Sequence, residues 1–343
     1  MIVRELIAEL VSIALEQAQS EQILPETSKL EVVVEKPQNP THGDFATSVA
    51  LKLAKPMRKS PLQIAEIICA NIPNNDVLEK TWAAPPGFVN VTLNPSWLSR
   101  QIDTIRTAGP NFGDTDVGKG QTVQIEFVSV NPTGPVHVGH ARGAVIGSAL
   151  ANIMSAAGFN VVREYYFNDA GNQMNRFNQS LMARYQQLHG IPTELPIDGY
   201  MGDYMIELAH DIQETLADKF AKGDEESVIE LGQLGLKRMI EEIRTDMESL
   251  RVKYDVWFSE ASLFKNGQFD KTIQFLQDRD LLTDRDGAKW FRSSALGDEQ
   301  DKVVVRSNGA PTYFGTDIAY HYNKFFERKF DKVIDVLGAD HQG

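Results

Sequence analysis

Apolar positions recur at helical spacing through the opening residues, MIVRELIAELVSIALEQAQ, and predict a helix over about 2 to 18. The run KLEVVVEK reads as a strand, and the polar, turn-rich PQNPTHGD then opens a second helical stretch, FATSVALKLAKPM. Pro61 to about Ile72 reads as a further helix, GFVNVTLN as a strand, and Pro95 to about Thr107 as a helix begun by Pro in its first turn. Together these make residues 1 to about 108 a small α+β domain. The Gly- and Asp-rich GPNFGDTDVGKG, residues 109–120, reads as a linker.

From 121 the pattern becomes β-α-β. Strand QTVQIEFVS leads through NPTGPV into a helix from about His137 to Ala156, with Gly158 as its C′ residue and strand NVVREYYF after it. Two strands separated by a helix imply a parallel sheet. A mainly helical insertion is expected over about 172–250. The sheet pattern returns in KVVVRS, in PTYFGTDIAYHYNKFFERK and in KVIDVLGAD.

Composition narrows the class. At 343 residues, 42% hydrophobic and 24% charged, the chain has ample material for about two domains. Glu5, Glu9 and Glu16 interrupt the N-terminal apolar pattern, which suits neither a secretory signal nor a transit peptide. No apolar run approaches the roughly 18 residues of a membrane span, and the single Cys69 excludes an internal disulfide framework. A cytoplasmic protein without a membrane association is expected.

The net charge of -13 argues against a surface that is basic all over, but the acidity is local. Residues 1–112 hold 10 Lys/Arg against 12 Asp/Glu, net -2, whereas residues 194–250 hold 5 against 15, net -10. Basic patches outside the insertion therefore remain open.

The stretch NPTGPVHVGHARG, 131–143, carries the chemistry. Pro132 and Pro135 stiffen the loop, Gly134, Gly139 and Gly143 keep side chains away from a ligand, and the helix start offers free N–H groups and a positive dipole end. His137 and His140 stand one turn apart and can both donate to phosphate oxygens during phosphoryl or nucleotidyl transfer. Two ordinary polar residues at a helix start are the bland alternative. A zinc pair is disfavoured, because no H-E-x-x-H or C-x-x-C accompanies it. Gly113, Gly118 and Lys119 fit the start of a phosphate-loop pattern, but Gly120 stands where Ser or Thr should hold magnesium, and the segment precedes a strand.

EFVSVNPTGPVHVGHARGAVIGSALANIM, followed by REYYFNDAGNQM, resembles the first half of the class I aminoacyl-tRNA synthetase catalytic domain, with HVGH at the place of the signature H-I-G-H. Within that class the arginyl-tRNA synthetase family is the nearer resemblance. It extends to NPTHGDFAT, YDVWFSEASL, YFGTDIAYH and VLGADHQG, and so covers nearly the whole chain. The fold it implies is α/β: a class I synthetase Rossmann-like parallel sheet, incomplete in this chain, with a helical insertion and a preceding small α+β domain. KPMRKS, 55–60, shares letters with a synthetase lysine loop but lies at a predicted helix end, before HVGH.

The resemblance implies ATP, with Mg2+, over the HVGH helix, where His137 and His140 steady the phosphates as the arginine carboxylate attacks the α-phosphorus. Pyrophosphate leaves, and the arginyl group passes to the 2′-hydroxyl of the terminal adenosine of the tRNA for arginine. Family members generally need tRNA bound before the first step proceeds. By the same resemblance Pro132, Gly134, Gly139, Gly338 and Asp340 lie on the ATP side, Glu126 and Asn131 bind the main-chain groups of L-arginine, and Glu260, Tyr313 and Asp317 take its guanidinium. A guanidinium is a planar fork of donors, which carboxylates and a phenolic oxygen suit. Asn39, His42 and Phe45 lie in the motif that would contact the tRNA elbow, although a turn packing its own domain explains NPTHGDF nearly as well. No protein ligands for a metal are expected.

No K-M-S-K-S-like loop follows HVGH, and the sequence stops at Gly343 directly after a predicted strand. An N-terminal piece of a longer protein, inactive alone and monomeric in its full-length form, is the expectation. A non-catalytic tRNA- or ATP-binding fragment and a small-molecule nucleotidylyltransferase with an H-x-G-H site stay open as alternatives.

Overall fold

The structure, a computed structural model, describes residues 3–28 and 30–338. Two compact units divide the chain, Met1–Phe112 and Gly113–Gly343.

In the first unit α1 (Val3–Ser20) is amphipathic, and Ile7, Val11, Ala14 and Ala18 form its buried stripe. It packs with α2 (Val49–Met57) and α3 (Pro61–Asn71) around one core. The sheet has the order β1 (Val34–Glu35), β2 (Phe45–Thr47), β4 (Phe88–Leu93), β3 (Leu78–Ala84), all neighbours antiparallel. Helix α4 (Pro95–Ala108) follows, its start capped by the Asn94 carboxamide accepting from Ser96 N at 2.8 Å.

Two local expectations are corrected here, and one strand is unanticipated. KLEVVVEK contributes only the pair Val34–Glu35 to a sheet. FAT is strand β2, so the helix begins at Val49, because Phe45 and Thr47 pair across to Val91 and Val89 and take their place on the core face. LEKTWAA forms β3, whose mixed polar pattern hides an edge strand.

The second unit is built on a parallel sheet of order β11 (Lys332–Val336), β5 (Thr122–Phe127), β6 (Asn160–Phe167), β7 (Val256–Ser259). Burial of Val123, Ile125 and Phe127 on one side of β5 seats α5 (Val138–Ala156) against it. The approach is so close that a Cβ on Gly147 would lie 2.2 Å from the Phe127 ring, which only glycine avoids. Gly158, at φ +86°, turns the chain from α5 into β6.

The insertion between β6 and β7 is α6 (Asn172–Leu188), α7 (Tyr204–Leu216) and α8 (Glu225–Ser249), with its own core around Phe177, Tyr185 and Leu231. Helices α9 (Glu260–Lys265) and α10 (Gln268–Gln277) lead to β8 (Leu282–Arg285), β9 (Ala288–Phe291) and β10 (Lys302–Val305). These strands form a separate antiparallel sheet, so KVVVRS does not extend the parallel one. PTYFGTDIAYHYNKFFERK is also no strand: Tyr313–Tyr322 is helix α11 and Asn323–Glu327 a π turn. The Thr312 hydroxyl caps α11 by accepting from Gly315 N at 3.0 Å. Among the described residues no helix is long and apolar enough to cross a membrane, and no cluster of three or more His, Cys, Asp or Glu could hold a metal.

Candidate active site

In the parallel sheet β5 leads to β6 on one side while β11 pairs on the other, so the chain reverses direction of travel at β5. Ligands of open α/β sheets bind beyond the carboxyl ends of strands at such a switch point. Loop 128–137 follows β5, Asn168 and Asp169 follow β6, Glu260 follows β7, and Gly338 lies just beyond β11. Asp340 lies outside the described residues.

His137 caps α5. Its Nδ1 accepts from Gly139 N at 3.1 Å, while Nδ1 of His140 accepts from His137 N at 3.3 Å. The rings stack, centroids 3.5 Å apart. A ring nitrogen that accepts carries no proton, so the network assigns both imidazoles the tautomer with Nε2–H. Burial, and then the neighbouring His137, push the His140 pKa down and keep that ring neutral. The pair thus offers two Nε2–H donors at a helix N-terminus, which suits anionic oxygens. Pro132 is buried; Gly134 faces Tyr204, 3.5 Å from where its Cβ would stand; Gly139 lies against the His137 ring.

The loop entering α5 is strained. Val128 and Ser129 take φ of +71° and +44°, a left-handed conformation that costs an L residue roughly 1–2 kcal/mol each. Tyr166 N donates to Ser129 Oγ at 3.2 Å, and Asn131 donates to Gln173 Oε1 on α6 at 2.9 Å.

Tyr166 is bonded to one acidic residue and feels the charge of two more. Its hydroxyl donates to Glu260 Oε2 at 2.6 Å, and burial followed by the charges of Glu260, Glu126 and Asp317 pushes the phenol far up. Glu260 is 6% exposed, and desolvation raises its pKa despite the Tyr166 bond. Asp317 lies on the exposed side of α11, one turn from Tyr313, which is 73% exposed. Asn131 sits with the loop, bonded to Gln173, and Tyr313 stands exposed at the start of α11. Sequence reasoning passes over Tyr166 because REYYF presents adjacent tyrosines, and only the pleat decides which faces the carboxylates.

A buried ion network runs through the same sheet. Lys324, on the π turn, is 0% exposed; its Nζ donates to Glu126 Oε2 at 2.8 Å and Asp335 Oδ1 at 3.0 Å, and stands 4.1 Å from the Tyr320 ring centre. Glu126 is therefore already paired. Glu164, fully buried, is held by Arg328 and the Tyr320 hydroxyl. Burial alone would raise the Asp335 carboxyl, but hydrogen bonding from His321 and the Lys324 charge hold it below the usual carboxylate range. Lysine in a helix reads in sequence as a surface residue, and nothing local signals that Lys324 closes this network.

His321 links network and pocket, with Nδ1 3.4 Å from Asp317 and Nε2 3.7 Å from Asp335. Hydrogen bonds to Asp317, then Asp335, raise its pKa from 6.5 to about 10. A raised pKa means the tie is fully present below about 6.5, where the unfolded imidazole is also charged, and is lost as pH rises through about 10. In a proton NMR titration the His321 ring should still be protonated at about pH 8; a midpoint below about 7 would refute the tie.

In the first unit the PTHGD turn is anchored on β4, with Asp44 N donating to Val91 O at 2.8 Å and Leu93 N to Asp44 Oδ2 at 2.8 Å. Asn39 and His42 stand exposed on it, and the Asn39 carboxamide accepts from Thr41 N at 3.0 Å. Phe45 is different: it pairs with Val91 and packs against the core, so its ring serves the domain's packing. On the opposite face the register sets Ala46, Asn90 and Trp82 side by side, with Lys80 Nζ 5.4 Å from the Trp82 ring. Asn90 is 2% exposed and its amide nitrogen has no partner. In F-V-N-V-T-L it looks like ordinary polar alternation, so sequence does not flag it.

The arginyl tRNA synthetase N terminal domain profile matches residues 5–93, and that of the tRNA synthetases class I (R) catalytic domain matches residues 103–342. The chain is 46% identical over 342 residues to an arginine--tRNA ligase of Dehalococcoides mccartyi strain CBDB1, covering 99% of this chain and 61% of that protein. It is 46% identical over 314 residues to arginine--tRNA ligase 2 of Bacillus thuringiensis subsp. konkukian, covering 91% and 56%. The chain thus spans less than two thirds of the length of these curated relatives. The Thermus thermophilus arginyl-tRNA synthetase structure superposes with a TM-score of 0.57 over 95% of this chain and 53% of that one; at 23% identity this is a likeness of fold. With the class I catalytic profile matching 103–342 on a parallel sheet that carries HVGH at its switch point, the chain belongs to the arginyl-tRNA synthetase family.

Proposed function

We propose that the full protein containing this chain ligates L-arginine to its tRNA through an arginyl-adenylate. The arginine carboxylate attacks the α-phosphorus of ATP and pyrophosphate leaves; the 2′-hydroxyl of the terminal tRNA adenosine then attacks the activated carbonyl and AMP leaves. The observation that carries this reading is the stacked His137–His140 pair at the start of α5, each ring accepting a backbone N–H at Nδ1, at the carboxyl end of the parallel sheet where Glu260 also stands, bonded to Tyr166. Two Nε2–H donors stabilise charge as it moves onto phosphate oxygens, while Pro132, Gly134, Gly139 and Gly338 shape the nucleotide side and magnesium accompanies the phosphates.

On the arginine side Asp317, Glu260 and Tyr313 take the guanidinium, and Glu126, shared with Lys324, and Asn131 take the main-chain groups. In the first unit Asn39 and His42, exposed on the PTHGD turn, and the half-buried Trp82 offer hydrogen bonding and stacking to unstacked tRNA bases. The test is His140→Ala in the full protein. Arginine- and tRNA-dependent ATP–pyrophosphate exchange should slow by roughly 10² to 10³-fold, the usual loss for one transition-state donor. An unchanged rate with intact folding would remove the assigned role.

A further inference from the structure

Three tyrosine hydroxyls donate to backbone carbonyls at the strained entry to α5: Tyr254 to Phe127 O at 3.2 Å, Tyr165 to Val130 O at 3.0 Å, and Tyr204 to Thr133 O at 2.7 Å. They come from three directions. Tyr165 lies on β6, Tyr254 just before β7, and Tyr204 at the start of α7 in the helical insertion. Tyr165 and Tyr254 also meet edge to face, 5.3 Å apart, which locks the two that rise from the sheet.

Val128 and Ser129 hold positive φ, and residues in such a conformation persist only where their surroundings over-determine them. Phe127 precedes that pair, and Val130 and Thr133 follow it. Thr133 is 6% exposed, so its carbonyl needs the bond that Tyr204 supplies. Tyr204 in turn packs on the insertion core, and its phenol, pushed up to about 12 by burial, stays a donor across the working pH range.

We propose that Tyr204 is a positioning residue through which the helical insertion sets the backbone of the nucleotide loop, completing a three-tyrosine clamp with Tyr165 and Tyr254. This rests on the reading of loop 131–140 as the ATP site. The insertion, whose acidity otherwise reads as a solvated surface, thereby acts on the rate of the chemical step without touching substrate. Misplacement of a catalytic loop by a fraction of an ångström lowers turnover while leaving a separate amino-acid pocket intact.

The test uses the full protein and the variants Tyr204→Phe and Tyr185→Phe. Tyr185 also lies in the insertion core and donates to a backbone carbonyl, Ala217 O, away from the loop, so its loss matches the structural cost alone. In ATP–pyrophosphate exchange Y204F should lower kcat about 10-fold with the KM for arginine unchanged. Y185F should exchange as the parent does. Equal kinetics for the two variants, or a Y204F rate like the parent's while H140A loses exchange, overturns the clamp and leaves the nucleotide reading standing. Absence of arginine-dependent exchange from the parent itself would overturn that reading and the clamp with it.

Discussion

Lysine should be activated by the full protein roughly 10⁴ to 10⁵-fold less efficiently than arginine, measured as kcat/KM in pyrophosphate exchange. The pocket is built from acceptors in separate places: Glu260 is 6% exposed and hydrogen-bonded to Tyr166, and Asp317 stands on the opposing α11. In the proposed pocket a planar guanidinium pairs with both. A lysine ammonium is a compact point charge that satisfies one and leaves the other desolvated and unpaired. The asymmetry is large because the penalty falls on a buried carboxylate. Asp317→Asn should correspondingly raise the KM for arginine with the fold intact, since Asp317 is exposed and His321 keeps Asp335 as a partner. Activation of lysine or ornithine at rates comparable to arginine would refute the pocket at its most specific point.

Replacement of Lys324 by Met should destabilise the protein by about 3–5 kcal/mol, the usual cost of removing one member of a buried ion pair. The loss of Nζ leaves Glu126, with its side chain 8% exposed, without a counter-charge. Asp335 keeps His321 and suffers less. The double variant Lys324→Met, Glu126→Gln should recover a large part of the loss, because it removes the orphaned charge as well as the cation. Urea unfolding followed by circular dichroism measures both. A single variant within about 1 kcal/mol of the parent would mean that water or relaxation compensates Glu126, and the network would not be structural.

Much of the fold is legible along the chain because it depends on local periodicity. Helix α5, with His137 as its cap and Gly158 beyond its end, follows from Pro, Gly and His at particular offsets, and β6 follows from the β-branched and aromatic residues of NVVREYYF. Segments whose state depends on a distant partner are less legible. FAT is a strand because β4 offers it a partner, although its letters continue smoothly into a helix. YFGTDIAYHY mixes aromatic and β-branched residues that favour strands, yet a threonine cap and packing on β10 make it a helix.

The candidate site divides in the same way. By itself the sequence determined the helix-entry loop and the two imidazoles proposed for the nucleotide, because they lie within 13 consecutive residues whose backbone constraints are local. It also marked Glu126, Glu260 and Asp317 through short motifs. Only the tertiary structure decided that Glu260 is bonded to Tyr166, that Lys324 is buried against Glu126, and that Phe45 packs partly buried against a core. Those outcomes turn on strand order and on which face of a pleat or helix meets another element. Charges more than 100 residues apart, such as Glu126 and Lys324, become neighbours only when long loops close, and no local propensity encodes the energy of that meeting.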